Sequence, residues 1–293
     1  MQNLKNSFLD LMMESRLSRA EVDVLLEMSH YQDDYGKIYG VFYRSICKSV
    51  NISYETFYTT LESLASKKLI QIEKSCKGDR DVTFINNDFS YPGARDEGYI
   101  RTGHYLFDNS KFKKLKAGEK LLAMQLFRIT GAGKKFYQVG IDFFTRRYME
   151  LFGIKLRTLR LYLSHLKDLF HIKIKKRNYI IRPIMEECVY KELEAPTTDL
   201  KRLSEHLIRT ACRRNKAHYT EKTYDGMMEL LRQYSYSTEK QLESFRKNLA
   251  KIFLEAVRRS VAYECDWPDE PRSVPLVQGK WLNHKLIHKL MRH

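Results

Sequence analysis

No stretch of this chain approaches the roughly 18 consecutive apolar residues that a membrane helix needs. Cysteine is scarce: five residues (Cys47, Cys76, Cys188, Cys212 and Cys265), far apart and never as C-x-x-C. That usage argues against a zinc ribbon and against a disulfide framework, and predicts reduced thiols in a cytoplasmic protein. The opening "MQNLKNSFLDLMMESRL" has Asp10 and Glu14 in or beside its apolar stretch and no small-residue cleavage site, so it does not read as a secretory signal. Also missing are a Walker A loop, a paired-carboxylate motif and a Ser or Cys triad pattern. No enzyme class is therefore indicated, and no cofactor is expected. His284 and His288 are four apart, as in a helical metal pair, with His293 beyond, but no Glu or Cys accompanies them and no metal site is expected. "RRNKAHY" (Arg213, Arg214, His218, Tyr219) has the residue types of Tyr-based strand cleavage at a spacing that fits no nucleophile constellation.

Acidic residues are in deficit. There are 36 Asp and Glu against 52 Lys and Arg, a net charge of +16 over 293 residues. A chain so balanced is predisposed to meet a polyanion, nucleic acid first and an anionic membrane surface second. At ~100–200 residues per domain the length allows two or three domains.

What is present is a repeat. "ISYETFYTTLESLASKKLIQIEK" (residues 52–74) and "IKLRTLRLYLSHLKDLFHIKIKK" (residues 154–176) align at an offset of 102. Shared are Ile52/Ile154, Thr56/Thr158, Leu61/Leu163, Leu64/Leu166, Ile70/Ile172, Ile72/Ile174 and Lys74/Lys176. In the second copy Leu156, Leu159, Leu163 and Leu166 step by 3, 4 and 3, one stripe of a helix. "HIKIKK" then alternates as a half-buried strand does, "RN" turns, and "YIIRPI" returns. The first copy has Phe57, Leu61 and Leu64 as its stripe, then "LIQIEK", a turn at "SCKGDR" and "DVTFI". Upstream of each lie two more helical patterns: "SRAEVDVLLEMSHY" (Ser18 as N-cap) and "IYGVFYRSICKSVN" before the first, "KAGEKLLAMQLFRI" and "GIDFFTRRYMELFG" before the second. The links "SVN" and "FGI" are short enough for the turn of a helix-turn-helix. Leu156, Leu159, Leu163, Leu166, Ile172 and Ile174 are expected to be buried, as are Phe57, Leu61, Leu64, Ile70 and Ile72.

This order of three helices, strand, wing and strand resembles the winged-helix family, over residues 15–90 and 112–186. The resemblance implies a third helix that enters the DNA major groove and a hairpin wing that touches the backbone. The expected fold class is mainly α with small β-hairpin wings: two winged-helix domains (1–90 and 112–186) joined by a connector (91–111). The connector's Pro92, Gly93, Gly98 and Gly103 predict irregular chain with room for one short strand, and its aromatics predict packing. From Thr197 the pattern is helical. A bundle is expected over 197–264, its first helix capped by Thr198 or Asp199 and its second beginning at Thr220. A Pro-containing link and a basic amphipathic tail helix follow over 265–293.

The copies differ in charge. Residues 154–186 hold nine Lys and Arg against two acids, a net of +7, whereas residues 52–84 hold five of each. On the second reading helix Arg157, Arg160 and Ser164 stand away from the leucine stripe, where Arg can fork onto guanine or phosphate. Lys167 extends that face, and Lys175, Lys176 and Arg177 are placed at the wing tip for backbone contacts. The first copy has Glu55, Tyr58 and Glu62 at the matching positions, so its DNA contacts are expected from a basic flank and wing: Lys67, Lys68, Lys74, Lys77 and Arg80. The functional expectation is a sequence-specific double-stranded DNA-binding protein. Tandem winged helices followed by a helical region are similar in architecture to plasmid and phage replication initiators. A winged-helix transcription regulator and a non-catalytic assembly factor are the alternatives. Double-stranded DNA is the expected partner. A second copy of the chain and replication or transcription proteins are further candidates, and no membrane is expected.

Overall fold

The computed structural model describes residues 3–74, 80–102, 107, 109–131, 136–184, 195–214, 218–222 and 224–226. It is mixed α and β, with small antiparallel sheets. Two bodies are distinguished: Met1–Ile38, Phe42–Ile72 and Val82–Asp199 form one, and Tyr39–Val41, Glu73–Asp81 and Leu200–His293 the other.

The first body begins with β1 (Asn3–Lys5) and α1 (Asn6–Glu14). Then comes α2 (Arg19–Ser29), and its start follows from "SRAE". Ser18 Oγ accepts the Glu21 backbone N–H at 3.3 Å, and Glu21 Oε2 accepts the Ser18 N–H at 2.5 Å. Two otherwise orphaned donors are thereby satisfied, the reciprocal capping that stabilises a helix start by about 1 kcal/mol. Next come β2 (Lys37–Val41), α3 (Tyr43–Val50), α4 (Tyr54–Ser66), β3 (Ile70–Lys74) and β4 (Arg80–Phe84). After β5 (Tyr99–Arg101) and the short α5 (Ser110–Lys114), the same series recurs. It comprises α6 (Ala117–Gly131), β6 (Tyr137–Gly140), α7 (Ile141–Phe152), α8 (Leu156–His165), β7 (Phe170–Lys175) and β8 (Asn178–Pro183). The strand orders agree as well: β2-β4-β3 in the first copy, β6-β8-β7 in the second. Element order and sheet order thus match in both.

A strand between the first and second helix of each copy was not expected. "IYGV" belongs to β2 rather than to the helix that follows it. Ile38 and Val41 are β-branched and buried, and Gly40 has a φ of 64°, where a helix cannot continue. The links after α3 and α7 do turn tightly. Asn51 and Gly153 close those helices in the left-handed region, the two residue types that do so at least cost.

Burial mostly follows the apolar stripes. Leu159, Leu163 and Leu166 are buried, as are Phe57, Leu61, Leu64 and Ile70. Leu156, Ile172 and Ile72 are only half-buried, and Ile174 is 66% exposed, contrary to expectation. The alternation does put Ile174 on the row of Phe170 and Ile172, but β7 runs on past the end of the core.

A pair of buried glutamates repeats with the fold. Glu21 Oε1 accepts from Ser63 Oγ at 2.7 Å and from Lys67 Nζ at 2.6 Å, tying α2 to the end of α4. Glu119 accepts the Lys116 N–H at 2.8 Å and pairs with His165 Nδ1 at 2.7 Å, tying α6 to the end of α8. Burial alone would raise the Glu21 carboxyl, but bonds from Lys67, Ser18 and Ser63 more than offset it and hold the group below its ordinary value of 4.5. Two further ion pairs stay within this body. Lys120, almost fully buried, meets Asp23, and Arg128 meets Asp10 at 2.5 Å.

The connector is built into the fold. β5 pairs antiparallel with β1, Leu4 opposite Ile100. Asn87 receives the Lys5 N–H at 2.7 Å and donates to Gln32 at 2.6 Å, a buried polar network that satisfies its own members. The Lys5 ammonium lies over the Tyr91 ring at 4.4 Å and bonds Glu97 at 3.1 Å. Burial pulls its pKa down, but the Tyr91 and Glu97 bonds outweigh this and the group sits above its ordinary value. Of the aromatics in and just before the connector, Phe89 and Phe107 are buried, while Tyr91 and Tyr99 remain exposed; Tyr105 lies outside the described residues.

Helix α9 (Ala195–Arg214), which belongs to the second body from Leu200 on, starts at Ala195, earlier than a cap at Thr198 or Asp199 would put it, because Pro196 is tolerated in a first helical turn. It lies along the end of β2. His206 Nε2 meets Tyr39 O at 2.7 Å, Arg213 donates to Gly40 O at 2.9 Å, and Thr210 fills the space where a Gly40 side chain would stand. Arg214 is only 1% exposed, and it bonds Asp81 at 2.6 Å, which also accepts the Gly40 N–H at 2.7 Å. Helix resumes at Glu221, just after Thr220. The rest of the expected bundle, the link and the tail helix with His284, His288 and His293 lie outside the described residues.

Candidate nucleic-acid interface

Helix α8 separates its side chains by angle. At 100° per residue Arg157, Arg160, Leu161 and Ser164 fall within one arc of about 100°. All four are exposed, while Leu159 and Leu163 on the other side are buried. A donor fork, a second fork, an apolar group and a hydroxyl thus share one solvent-facing strip. Lys167 follows it, exposed, in a 3-10 turn (Leu166–Asp168). Gly118 lets α6 come close to α8, since a Cβ there would stand 2.7 Å from Tyr162 Oη.

The hairpin tip is a two-residue turn. Lys175 pairs with Asn178 across β7 and β8, so Lys176 and Arg177 are the turn, one residue earlier than "RN" suggests. Both have positive φ, 48° and 57°, the geometry of a type I′ turn. Asn-Gly would make that turn at least cost, and an L-residue with a side chain is disfavoured there by about 1–2 kcal/mol. Both side chains are exposed, as is Lys175. The Asn178 amide donates to Lys176 O at 3.1 Å and the Ile141 N–H to Arg177 O at 3.0 Å, which hold the strained backbone. Backbone strain that places three cations side by side at a tip points to a use for the charge.

The first copy presents a different face. The residues matching Arg157, Arg160, Leu161 and Ser164 are Glu55, Tyr58, Thr59 and Glu62. Tyr54 is 55% exposed and touches Tyr58 and Tyr43, with ring centroids 4.7 and 4.8 Å away, both edge to face. Lys67, expected on phosphate, is engaged with Glu21 instead. Lys68 is exposed, and Arg80 is half-buried among partners of its own. Lys77 and the Lys74 side chain lie outside the described residues. The structure therefore gathers the second copy's candidates on two adjoining elements and leaves the first copy's candidates dispersed.

Comparison with protein-family models, curated proteins and solved structures finds no match. Among the described residues no helix is long and apolar enough to cross a membrane, and no group of three or more His, Cys, Asp or Glu could hold a metal ion. An open cleft of about 720 Å³ beside α1 and α7 mixes Asp10, Glu14 and Glu150 with Arg146 and Arg147, so its charge selects no ligand sign. Leu161 is not among the residues expected from the sequence, because it stands off the stripe of Leu156, Leu159, Leu163 and Leu166. Its place between Arg160 and Ser164 was the available signal.

Proposed function

We propose that the protein binds double-stranded DNA with sequence preference through its second copy, and that both copies are winged helices. The observation that carries this reading is the strip of Arg157, Arg160 and Ser164 on α8, together with the cations forced into the turn at Lys176 and Arg177. Arg157 and Arg160 have the forked geometry that matches the O6 and N7 edge of guanine. Lys175, Lys176 and Arg177 contact phosphates, which fix register without reading sequence. Tandem winged helices followed by a helical region are similar in architecture to an initiator of plasmid or mobile-element replication, which supports that role. A transcription regulator would use the same interface.

The experiment is affinity for a duplex selected from a random pool and for a scrambled duplex, over several salt concentrations. Each neutralised phosphate contributes about −0.9 to the log–log salt slope. Arg157→Ala or Arg160→Ala lowers affinity for the selected duplex by roughly 1–3 kcal/mol and spares the scrambled one. Glu55→Ala and Glu62→Ala leave the preference in place. Salt-insensitive binding, or a preference that depends on Glu55 and Glu62 instead, contradicts the reading.

One observation favours a second role. The first copy's face exposes Tyr54, a residue type enriched at protein interfaces, beside the carboxylates of Glu55 and Glu62, which phosphates would repel. That copy serves as the docking face for another protein in the assembly.

A further inference from the structure

Among the described residues only two large aliphatic side chains are exposed, Leu161 at 47% and Ile174 at 66%. A lone exposed leucine on a solvated helix needs no explanation. These two, however, lie on α8 and β7, the elements that carry the cations. Their first-copy counterparts differ. Thr59, in the place of Leu161, has its hydroxyl bonded to Glu55 O and Thr56 O at 3.0 Å each. Ile72, in the place of Ile174, is half-buried. The copy with cations is thus the copy with apolar groups beside them. A face meant only for water or for phosphate gains nothing from leucine.

A surface that complements such a strip must offer hydrogen-bond acceptors and an apolar spot within one helical turn. The major groove of DNA does so. Guanine presents two acceptors there, and thymine presents its C5-methyl, the one methyl among the four unmodified bases. Leu161 has Arg157 one turn before it and Ser164 one turn after, and with Arg160 they share one arc of α8, as a row that faces adjacent base pairs requires.

We infer that Leu161 is a specificity residue that takes the methyl group of a thymine in the DNA site, next to the bases met by Arg157 and Arg160. This rests on the duplex-binding reading above and adds a base to it. The preferred site then contains a thymine whose methyl matters, which no count of positive charge would predict.

Deoxyuridine differs from thymidine only by that methyl. The test replaces each thymine of the selected duplex by deoxyuridine, one at a time, and measures affinity for the full chain and for Leu161→Ala. Leu161 is exposed and packs no core, so the variant folds; circular dichroism checks this. At one position the wild-type protein loses about fourfold in affinity, the equivalent of about 0.8 kcal/mol for one buried methyl-sized group. At that position Leu161→Ala loses nothing further, the non-additivity expected of two groups in contact. If no thymine is sensitive, or if the loss is as large in Leu161→Ala, the inference is overturned while sequence-specific binding stands. If all duplexes bind alike, sequence reading and this inference fall together.

Discussion

Replacing Lys176 and Arg177 by Asn and Gly separates what the turn does for the fold from what it does for the ligand. Both residues sit at positive φ, 48° and 57°. Relief of the left-handed penalty is worth about 1–2 kcal/mol for each residue with a side chain. Glycine returns part of this, about 0.5–1 kcal/mol, through the greater freedom of the unfolded chain. The double variant should therefore be more stable than the wild type, by about 1 kcal/mol. The backbone bonds that anchor the tip, Asn178 to Lys176 O and Ile141 to Arg177 O, survive the change.

DNA binding should move the other way. Two cations leave the tip, so the magnitude of the log–log salt slope should fall by up to about 1.8. The loss should be alike for selected and scrambled duplexes, because phosphates carry no sequence. Stability is read by urea denaturation, and binding by fluorescence anisotropy at several salt concentrations. A variant that is more stable and binds as tightly, with the same slope, would show that the cations at the tip have no ligand. One that is less stable would show that Lys176 and Arg177 are there for the fold. Either result refutes the reasoning.

Three other changes probe the framework. Glu21→Gln should remove a stabilisation that is acid-sensitive: the folded carboxyl lies below its ordinary 4.5, so its contribution is full above that value and fades as pH falls through the depressed one. Thermal melts of the wild type should thus decline as pH falls below the ordinary 4.5, and those of the variant should be flatter there. Asp81→Ala should cost about 3–5 kcal/mol, because it leaves the Arg214 guanidinium buried and unpaired, whereas Asp81→Ala with Arg214→Met should recover most of the loss in a denaturant titration. Gly40→Ala should loosen α9, since its Cβ would stand 2.1 Å from Thr210 Cγ2 at a φ of 64°; faster proteolysis within residues 195–214 is the readout.

The reach of the sequence differed from element to element. Helices α2, α6, α7 and α8 were legible because apolar periodicity accumulates over 10 to 15 residues, with Ser18 as an N-cap in the first case. Strands β2 and β6 were not, being 5 and 4 residues long and each running straight into a helix of similar apolar content. Alternation in "HIKIKK" gave the face of Ile174 correctly, yet a period of two cannot say where along a strand the core stops. Charge counting placed Lys67 among the phosphate contacts. It could not see that a carboxylate 46 positions away, Glu21, was its partner, since no spacing rule links residues brought together by tertiary packing. For Lys175, Lys176 and Arg177 the hairpin pattern was enough, because the turn is local.

The glutamate ties explain how one copy could change its face while keeping its fold. Glu21 and Glu119 each cap their own helix and then reach the end of another, to Ser63 and Lys67 at the end of α4 and to His165 at the end of α8. That contact ties α4 and α8 to the fold from their buried ends. The exposed arc carries no part of it: Glu55, Thr59 and Glu62 in α4, and Arg157, Arg160, Leu161 and Ser164 in α8, take no part in either tie, and only Tyr58 on that arc is half-buried, against Phe57 and Tyr54. Substitutions on the arc are therefore decoupled from the packing, as distant and unshared sites are expected to be. A unit so built can carry a carboxylate or a guanidinium at one position, Glu55 in one copy and Arg157 in the other, at little cost in stability. The cost appears only where backbone and charge must share a residue, at Lys176 and Arg177.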